Sequence, residues 1–154
     1  MADISDYLES GLLHHIFRGQ SFAKPTGMAI ALTSGVPVDS HTGETIPEIP
    51  SGINGSGTGY SRIEVGPPSS SGDGFWTYSS DVDAAGSGYV SNTSVIDFGT
   101  ALVEWGPVSG IAIVDAPEYG SGNLLLQSQL DNPRHVYKGD SLRFDAGTLK
   151  VFMK

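Results

Sequence analysis

The glycine-rich stretch Gly55-Ser-Gly-Thr-Gly59 is the first candidate for chemistry in this sequence. Glycine-rich loops can cradle phosphate groups with their backbone N–H groups. Here, however, Tyr60 opens a strand-like pattern directly afterwards, and no lysine stands where a phosphate-binding loop needs one. The stretch also lacks the strand before and the helix after that a hydrolase nucleophile elbow requires. It therefore predicts an ordinary loop.

Carboxylates are the second candidate. The segment Asp81-Val-Asp83-Ala-Ala-Gly86 begins like a calcium loop, but Ala85 replaces the third ligand and Asn92 stands where a bidentate Glu is needed. The same two aspartates and Glu104 could serve sugar hydrolysis, which uses two carboxylates facing each other across a cleft. Nothing in their spacing makes them such a pair. We therefore expect no calcium site, no enzyme activity and no cofactor.

The four histidines give no metal-binding pattern. His14 and His15 are adjacent on a predicted helix, so their side chains point about 100° apart and cannot chelate one ion. His41 and His135 have no acidic or histidine neighbour at ligand spacing. The chain has no cysteine, which excludes disulfides and thiolate ligands. No metal site is predicted.

Two aromatic side chains offer a binding role. Trp76 and Tyr78 fall on one face of a short predicted strand, with Phe75 on the other face. Such a pair could stack on a sugar ring, although aromatic residues on strands more often belong to the core. An exposed indole would favour sugar binding, and a buried one would remove it.

Composition limits the class of protein. A length of 154 residues and a hydrophobic fraction of 38% favour a single folded domain. The net charge is −9 and the eight basic residues are scattered, so we expect no nucleic-acid partner. The opening residues are acidic without an apolar signal region, and no run approaches the length of about 18 apolar residues that a membrane span needs. We therefore expect a soluble protein made in a cytoplasm.

One helix is predicted, over residues 4–17. Asp6 and Glu9 resemble a capping box at its start, and Arg18-Gly19 supplies a stop. A helix of about three turns is marginal in isolation, so it must dock on its own domain or on a neighbouring subunit. Its apolar stripe consists of Ile4, Leu8, Leu12, Leu13, Ile16 and Phe17.

The rest of the chain predicts an all-β fold. The apolar run Met28–Thr33 indicates a central strand covered on both faces, with the helix as one possible cover. Residues 34–59, rich in proline and glycine, predict a long surface loop or extended arm that could reach a partner.

Further short β-type runs recur at intervals of about ten residues and are separated by turn residues, which is typical of an antiparallel sandwich or barrel. They include Tyr60–Val65, Ile111–Val114 and Leu124–Leu130, with a turn at Asp131–Pro133. We predict an antiparallel β-sandwich, jelly-roll-like, of about eight strands. Residues 1–19 form a helical docking arm and residues 20–154 a single domain with the long loop at 34–59.

A resemblance to a known family adds to this. The opening Asp6-Tyr-Leu-Glu-Ser-Gly-Leu-Leu-His-His-Ile-Phe-Arg-Gly19, the step Trp105-Gly-Pro-Val108 and the strand Gly122-Asn-Leu-Leu125 occur in order. They are followed by Lys138-Gly-Asp140 and by the ending Phe144-Asp-Ala-Gly-Thr-Leu149. This ordered set resembles a family of small virion proteins of tailed phages, whose members are commonly labelled structural or tail-fibre proteins.

The resemblance implies a non-enzymatic bacteriophage structural protein located on the virion and made in the host cytoplasm. Our leading hypothesis is a capsid decoration or cement protein, a homotrimer that bridges major capsid protein subunits on the capsid surface. The alternative is a tail-fibre or baseplate component that contacts a host glycan. The residues predicted to bind the partner are Tyr7, Leu8, Leu12, Ile16, Phe17, Arg18, Pro37, Pro47 and Pro50.

Overall fold

The computed structural model describes residues 3–50, 57–69, 74–79 and 88–152. Within these ranges the chain forms one helix and ten strands. The elements are β1 Asp3–Ile4, α1 Asp6–Arg18, β2 Ala29–Thr33, β3 Ile63–Glu64, β4 Trp76–Ser79, β5 Tyr89–Asn92, β6 Ile96–Thr100, β7 Gly106–Val114, β8 Leu124–Val136, β9 Ser141–Phe144 and β10 Lys150–Val151. The predicted all-β fold with one short N-terminal helix is confirmed.

Three antiparallel sheets hold the strands. The main sheet has the order β1-β8-β7-β2-β3, a second sheet has the order β10-β5-β4, and β6 pairs with β9. The long β7–β8 hairpin is the centre of the main sheet, and β2 pairs with β7 along its whole length, from Ala29–Val114 to Thr33–Gly110.

Strand β2 is buried on both faces, as its unbroken apolar run predicts. Ile30 and Leu32 point into the larger core cluster, where their pairing partners on β7 are Ile113 and Ile111. On the other face Ala29 and Ala31 belong to a second cluster of largely small side chains. The remaining members of that second cluster are Ile46, Ala112, Val114 and Leu124.

Residues 34–50, predicted to be a long surface loop or an extended arm, lie against the sheet, and their Ile46 belongs to this second cluster. Ile46 and Ile49 are buried, and Pro37 is fully buried within its own chain. Backbone hydrogen bonds fasten the segment, because Ile49 N donates to Leu32 O at 3.1 Å and Ser34 N donates to Pro47 O at 2.8 Å. The prolines correctly indicate irregular backbone, but they do not indicate that it lies on the sheet. Residues 51–56 of the predicted loop lie outside the described residues.

The N-cap of α1 lies one residue before Asp6, the residue predicted to start the capping box. Ser5 is the N-cap and its side chain accepts a hydrogen bond from Leu8 N, so the prediction of Asp6 and Glu9 as the capping pair is wrong. The Ser5 hydroxyl also donates to Leu124 O, which joins the start of α1 to β8. The predicted stop is confirmed, since Gly19 adopts φ 64° and its N–H bonds His14 O.

Strand β8 is longer than its sequence suggests. The turn expected at Asp131–Pro133 is wrong, because β8 continues through it to Val136. The pairing with β7 shifts between Val108–Arg134 and Gly110–Gln129, so the extra residues form an irregularity in β8. Proline is accepted in strands at such irregular positions because no ladder hydrogen bond is required there.

The double role of Ser5 gives a first prediction. Ser5→Ala should lower the free energy of unfolding by about 1–3 kcal/mol, since it removes both the helix cap and the buried bond to Leu124 O. Urea unfolding followed by circular dichroism measures the difference. Ser10→Ala, on the exposed side of the same helix, should stay within about 0.5 kcal/mol of the parent chain. Equal losses for the two variants would contradict the proposed junction.

Candidate functional site

The most heavily bonded polar group described is the guanidinium of Arg62. It forms a two-pronged ion pair with Glu48: Nε donates to Oε1 at 2.9 Å and Nη2 donates to Oε2 at 2.8 Å. The side chains of Arg62 and Glu48 are 0% and 4% exposed. Nη2 also donates to Gly43 O at 2.7 Å. The ion pair is therefore shielded from solvent, and its two parallel hydrogen bonds fix its geometry.

The same guanidinium holds the loop between β7 and β8. Nη1 lies 2.6–2.9 Å from three carbonyl oxygens of that loop. These oxygens belong to Ala116, Glu118 and Ser121. The loop carbonyls thus find a donor inside the protein, which buried backbone groups require. We call Arg62, Glu48 and Tyr60 the Arg62 cluster.

Tyr60 completes this cluster. Its hydroxyl donates to Glu48 Oε1 at 2.8 Å and accepts from Leu32 N at 3.0 Å. The second bond provides an acceptor for a backbone N–H of β2. Its ring packs against Phe98 and Trp105, with centroids 6.1 and 5.7 Å away. Burial, reinforced by the adjacent Glu48 carboxylate, raises the pKa of Tyr60 well above its usual value. All three guanidinium nitrogens and the hydroxyl are engaged, which makes the cluster a structural brace.

The predicted partner surface on α1 divides into an inner and an outer part. Leu8 packs against the main core, and Leu12 is half-buried. Tyr7 is exposed, and its ring contacts the ring of Phe22 at a centroid distance of 5.8 Å. The outer part points to solvent: Ile16 is 65% exposed, Phe17 is 75% exposed, and Leu13 and Arg18 are also exposed.

The three prolines predicted to bind the partner differ in burial. Pro37 is buried in the chain itself and presents nothing to a partner. Pro47 is half-buried, and its carbonyl accepts the Ser34 N–H. Pro50 is exposed at the end of the described segment. A role for Pro47 and Pro50 in partner binding stays a prediction.

The two side chains of the candidate sugar-stacking pair, Trp76 and Tyr78, differ in burial. Trp76 is half-buried, packs against the main core, and donates its indole N–H to Val65 O at 3.1 Å. Tyr78 is 71% exposed, and Phe75 is also exposed. Trp76 is therefore committed to the core, which weakens the predicted stacking site at this strand.

The remaining candidates give no centre for catalysis. His14 contacts Ser10 O at 2.8 Å, and His15 contacts Gln20 O at 2.9 Å, so both histidines satisfy local backbone groups. His135 lies against Glu104, a contact that their separation along the sequence did not reveal. The calcium-like segment 81–86 and residues 55–56 of the glycine-rich stretch lie outside the described residues.

Within the described ranges, no group of three or more histidine, aspartate or glutamate side chains lies close enough to hold a metal ion. In the same ranges no helix combines the length and the apolar character needed to cross a bilayer.

A groove that the sequence did not reveal runs between β8 and the two short strands β9 and β10. Its volume is about 760 Å³. Its floor is apolar, and three basic side chains line it, namely Arg134, Arg143 and Lys150. We call it the basic groove. Scattered basic residues gave no sequence signal for it, because the fold alone brings them to one place.

The described fold and contacts define a β-rich structural domain, in which buried polar side chains brace irregular segments and one helix carries exposed apolar side chains. The family model described as Podophage GP4 fiber I protein gp80 matches residues 3–152. Since this match spans nearly the whole chain, the protein belongs to that family. It is a structural protein of a tailed-phage virion, and the family resemblance found in the sequence is confirmed. A search of curated proteins found no match.

The Arg62 cluster yields a stability prediction. Arg62→Met should lower the free energy of unfolding by about 3–5 kcal/mol, because it leaves the Glu48 carboxylate buried without a counter-charge. The double variant Arg62→Met/Glu48→Gln should recover part of that loss. Arg143→Met is the matched control, since its pair with Asp145 is long, at 3.6 Å, and exposed; it should stay within about 0.5 kcal/mol. A small effect of Arg62→Met in urea unfolding would contradict the brace.

Tyr60 yields a pH prediction. Its pKa is raised in the folded state, so above about pH 10 the unfolded chain ionises first and gains stability. The stability that this group contributes is complete below that pH and is lost as the pH rises. Tyr60→Phe should therefore flatten the alkaline decline of unfolding free energy by up to about 1.4 kcal/mol per pH unit.

Urea midpoints measured across the alkaline range provide this comparison. Tyr78→Phe, which changes an exposed ring, is the matched control and should keep the slope of the parent chain. Identical slopes for the Tyr60 variant and the parent would show that the hydroxyl is not protected in the folded state.

Proposed function

We propose that this protein is a non-enzymatic component of the phage tail fibre. The observation that carries the proposal is the match of a fiber-protein family model over residues 3–152. This description favours the tail-fibre alternative over the capsid decoration role that was our first hypothesis. Capsid decoration, in which the protein bridges major capsid protein subunits at the capsid surface, is the alternative that the experiment below must distinguish from the fibre role.

The proposed fibre component assembles as a homo-oligomer through the outer part of α1. Leu13, Ile16 and Phe17 present contiguous apolar surface on a helix that has no buried residue. Exposed contiguous apolar surface favours a protein contact. A second copy in a closed symmetric arrangement can cover that surface, and we retain the trimer as the expected number.

A phage carrying an amber mutation in this gene tests the location. Particles grown without the protein should keep heads as resistant to heat as the parent phage and should lose adsorption to the host. Plasmid-supplied protein should restore adsorption. Heads that release DNA at lower temperature, with adsorption of intact particles unchanged, would instead establish the cement role and overturn the fibre proposal.

The assembly surface gives a separate prediction. The double variant Ile16→Asp/Phe17→Asp should sediment as a monomer under conditions in which the parent chain is oligomeric, because it places charge within the proposed apolar contact. Its urea unfolding should change little, since both side chains are mostly exposed. Point variants are preferable to removal of residues 2–18, which would also delete the Ser5 junction with β8.

Val95→Asp/Leu102→Asp is the matched control, because it adds two charges at exposed apolar positions that flank β6 and are not part of α1. It should sediment like the parent chain. If both double variants dissociate to the same extent, or if neither does, α1 is not the assembly surface.

A further inference from the structure

The basic groove has the dimensions of a ligand site. Its volume of about 760 Å³ lies within the range of roughly 300–1,000 Å³ typical of small-molecule and cofactor sites. The half-buried side chains of Leu126, Leu130, Phe144 and Leu149 line it, and all four pack against the main core. The groove therefore has a fixed apolar floor supported by the domain.

Charge sets this groove apart from the rest of the molecule. The chain has a net charge of −9, yet three of its eight basic residues line this one groove, with Asp131 as the acidic residue among the lining side chains. A surrounding excess of negative charge would repel an anion, so a local cluster of cations is needed to attract one.

The three cations are available to a ligand. Arg134 makes no ion pair with any described residue. Arg143 reaches Asp145 only at 3.6 Å, and both side chains are largely exposed, so water and salt screen that contact. Lys150 lies with Nζ 4.7 Å from the centre of the Tyr89 ring, a contact that leaves its charge uncompensated.

Neutral polar side chains complete the lining. Gln129 and Asn132 supply amide groups, and Thr148 supplies a hydroxyl oxygen as an acceptor, because its proton is donated to Asp145 O at 2.7 Å. Amides bond alcohols in both directions, an apolar floor covers the C–H face of a sugar ring, and arginine forks bind carboxylate with two parallel hydrogen bonds. A lipid would need more apolar depth and fewer neutral donors. The combination fits a carboxylated sugar.

We propose that the basic groove binds an acidic oligosaccharide, one whose sugar units carry carboxylate groups. The inference rests on the proposed fibre function, since a fibre that contacts a host surface needs a receptor site. It also places the glycan contact at β8–β10, away from Trp76, whose indole is committed to the core.

Isothermal titration of the isolated chain tests the site. Oligogalacturonate and oligoalginate are the acidic probes, malto-oligosaccharide is the neutral probe, and a short polyglutamate peptide is the acidic non-sugar probe. At least one acidic sugar should bind, more weakly at high salt because the interaction is charge-assisted, and malto-oligosaccharide should bind at least tenfold more weakly. Absence of acidic-sugar binding overturns the proposal. Equal binding of polyglutamate also overturns it and identifies an acidic-peptide site.

Charge-reversal variants locate the binding. Arg134→Glu/Arg143→Glu should weaken the acidic sugar at least tenfold, whereas Arg18→Glu/Lys24→Glu, with the same change in net charge outside the groove, should bind like the parent chain. All four side chains are exposed, so both variants should fold, and urea unfolding checks this. Equal weakening by the two variants would show general charge attraction and overturn the groove as the site.

The two proposals fail separately. Loss of adsorption by the amber phage concerns the location of the protein on the virion, whereas titration concerns the groove of the isolated chain. A tail location together with no binding of acidic sugars would overturn the groove and leave the fibre function standing.

Discussion

The structure depends on the buried ion pair between Arg62 and Glu48. Residues 34–50 contain no helix or strand, yet they lie against the main sheet and bury apolar side chains there. Irregular backbone can be buried only when its polar groups find partners. The guanidinium of Arg62 supplies those partners to Gly43 and to the β7–β8 loop at once, and Glu48 neutralises its charge. We interpret the pair as the device that selects one loop arrangement over its alternatives.

Two surfaces outside the Arg62 cluster carry side chains that are available to bind a partner. The guanidinium of Arg62 and the hydroxyl of Tyr60 form hydrogen bonds inside the protein, so neither group is available to bind a partner at the surface. The outer part of α1 offers exposed apolar side chains, and the basic groove offers exposed cations above an apolar floor. An assembly surface and a receptor surface on one braced β domain are what the proposed fibre component requires. The family match supports the proposed location in the tail fibre. The two surfaces offer the apolar and the charged contacts that the proposed assembly and receptor binding need.

The sequence predicted those features that depend on local pattern. The apolar run of β2 indicated a strand buried on both faces, and the spacing of apolar residues along α1 indicated the helix. It could not predict features that depend on distant residues. Nothing local marks Arg62 as the partner of Glu48, and Pro133 indicates a turn although β8 passes through it with an irregularity. The basic groove was hidden for the same reason, since Arg134, Arg143 and Lys150 lie on three different strands or strand ends.

Cryo-electron microscopy of the purified virion is the most direct test of the central claim. The account predicts density for this all-β domain in the tail fibres, with α1 packed against another copy and the basic groove open to solvent. Density for the same domain on the head surface, between major capsid subunits, would contradict it.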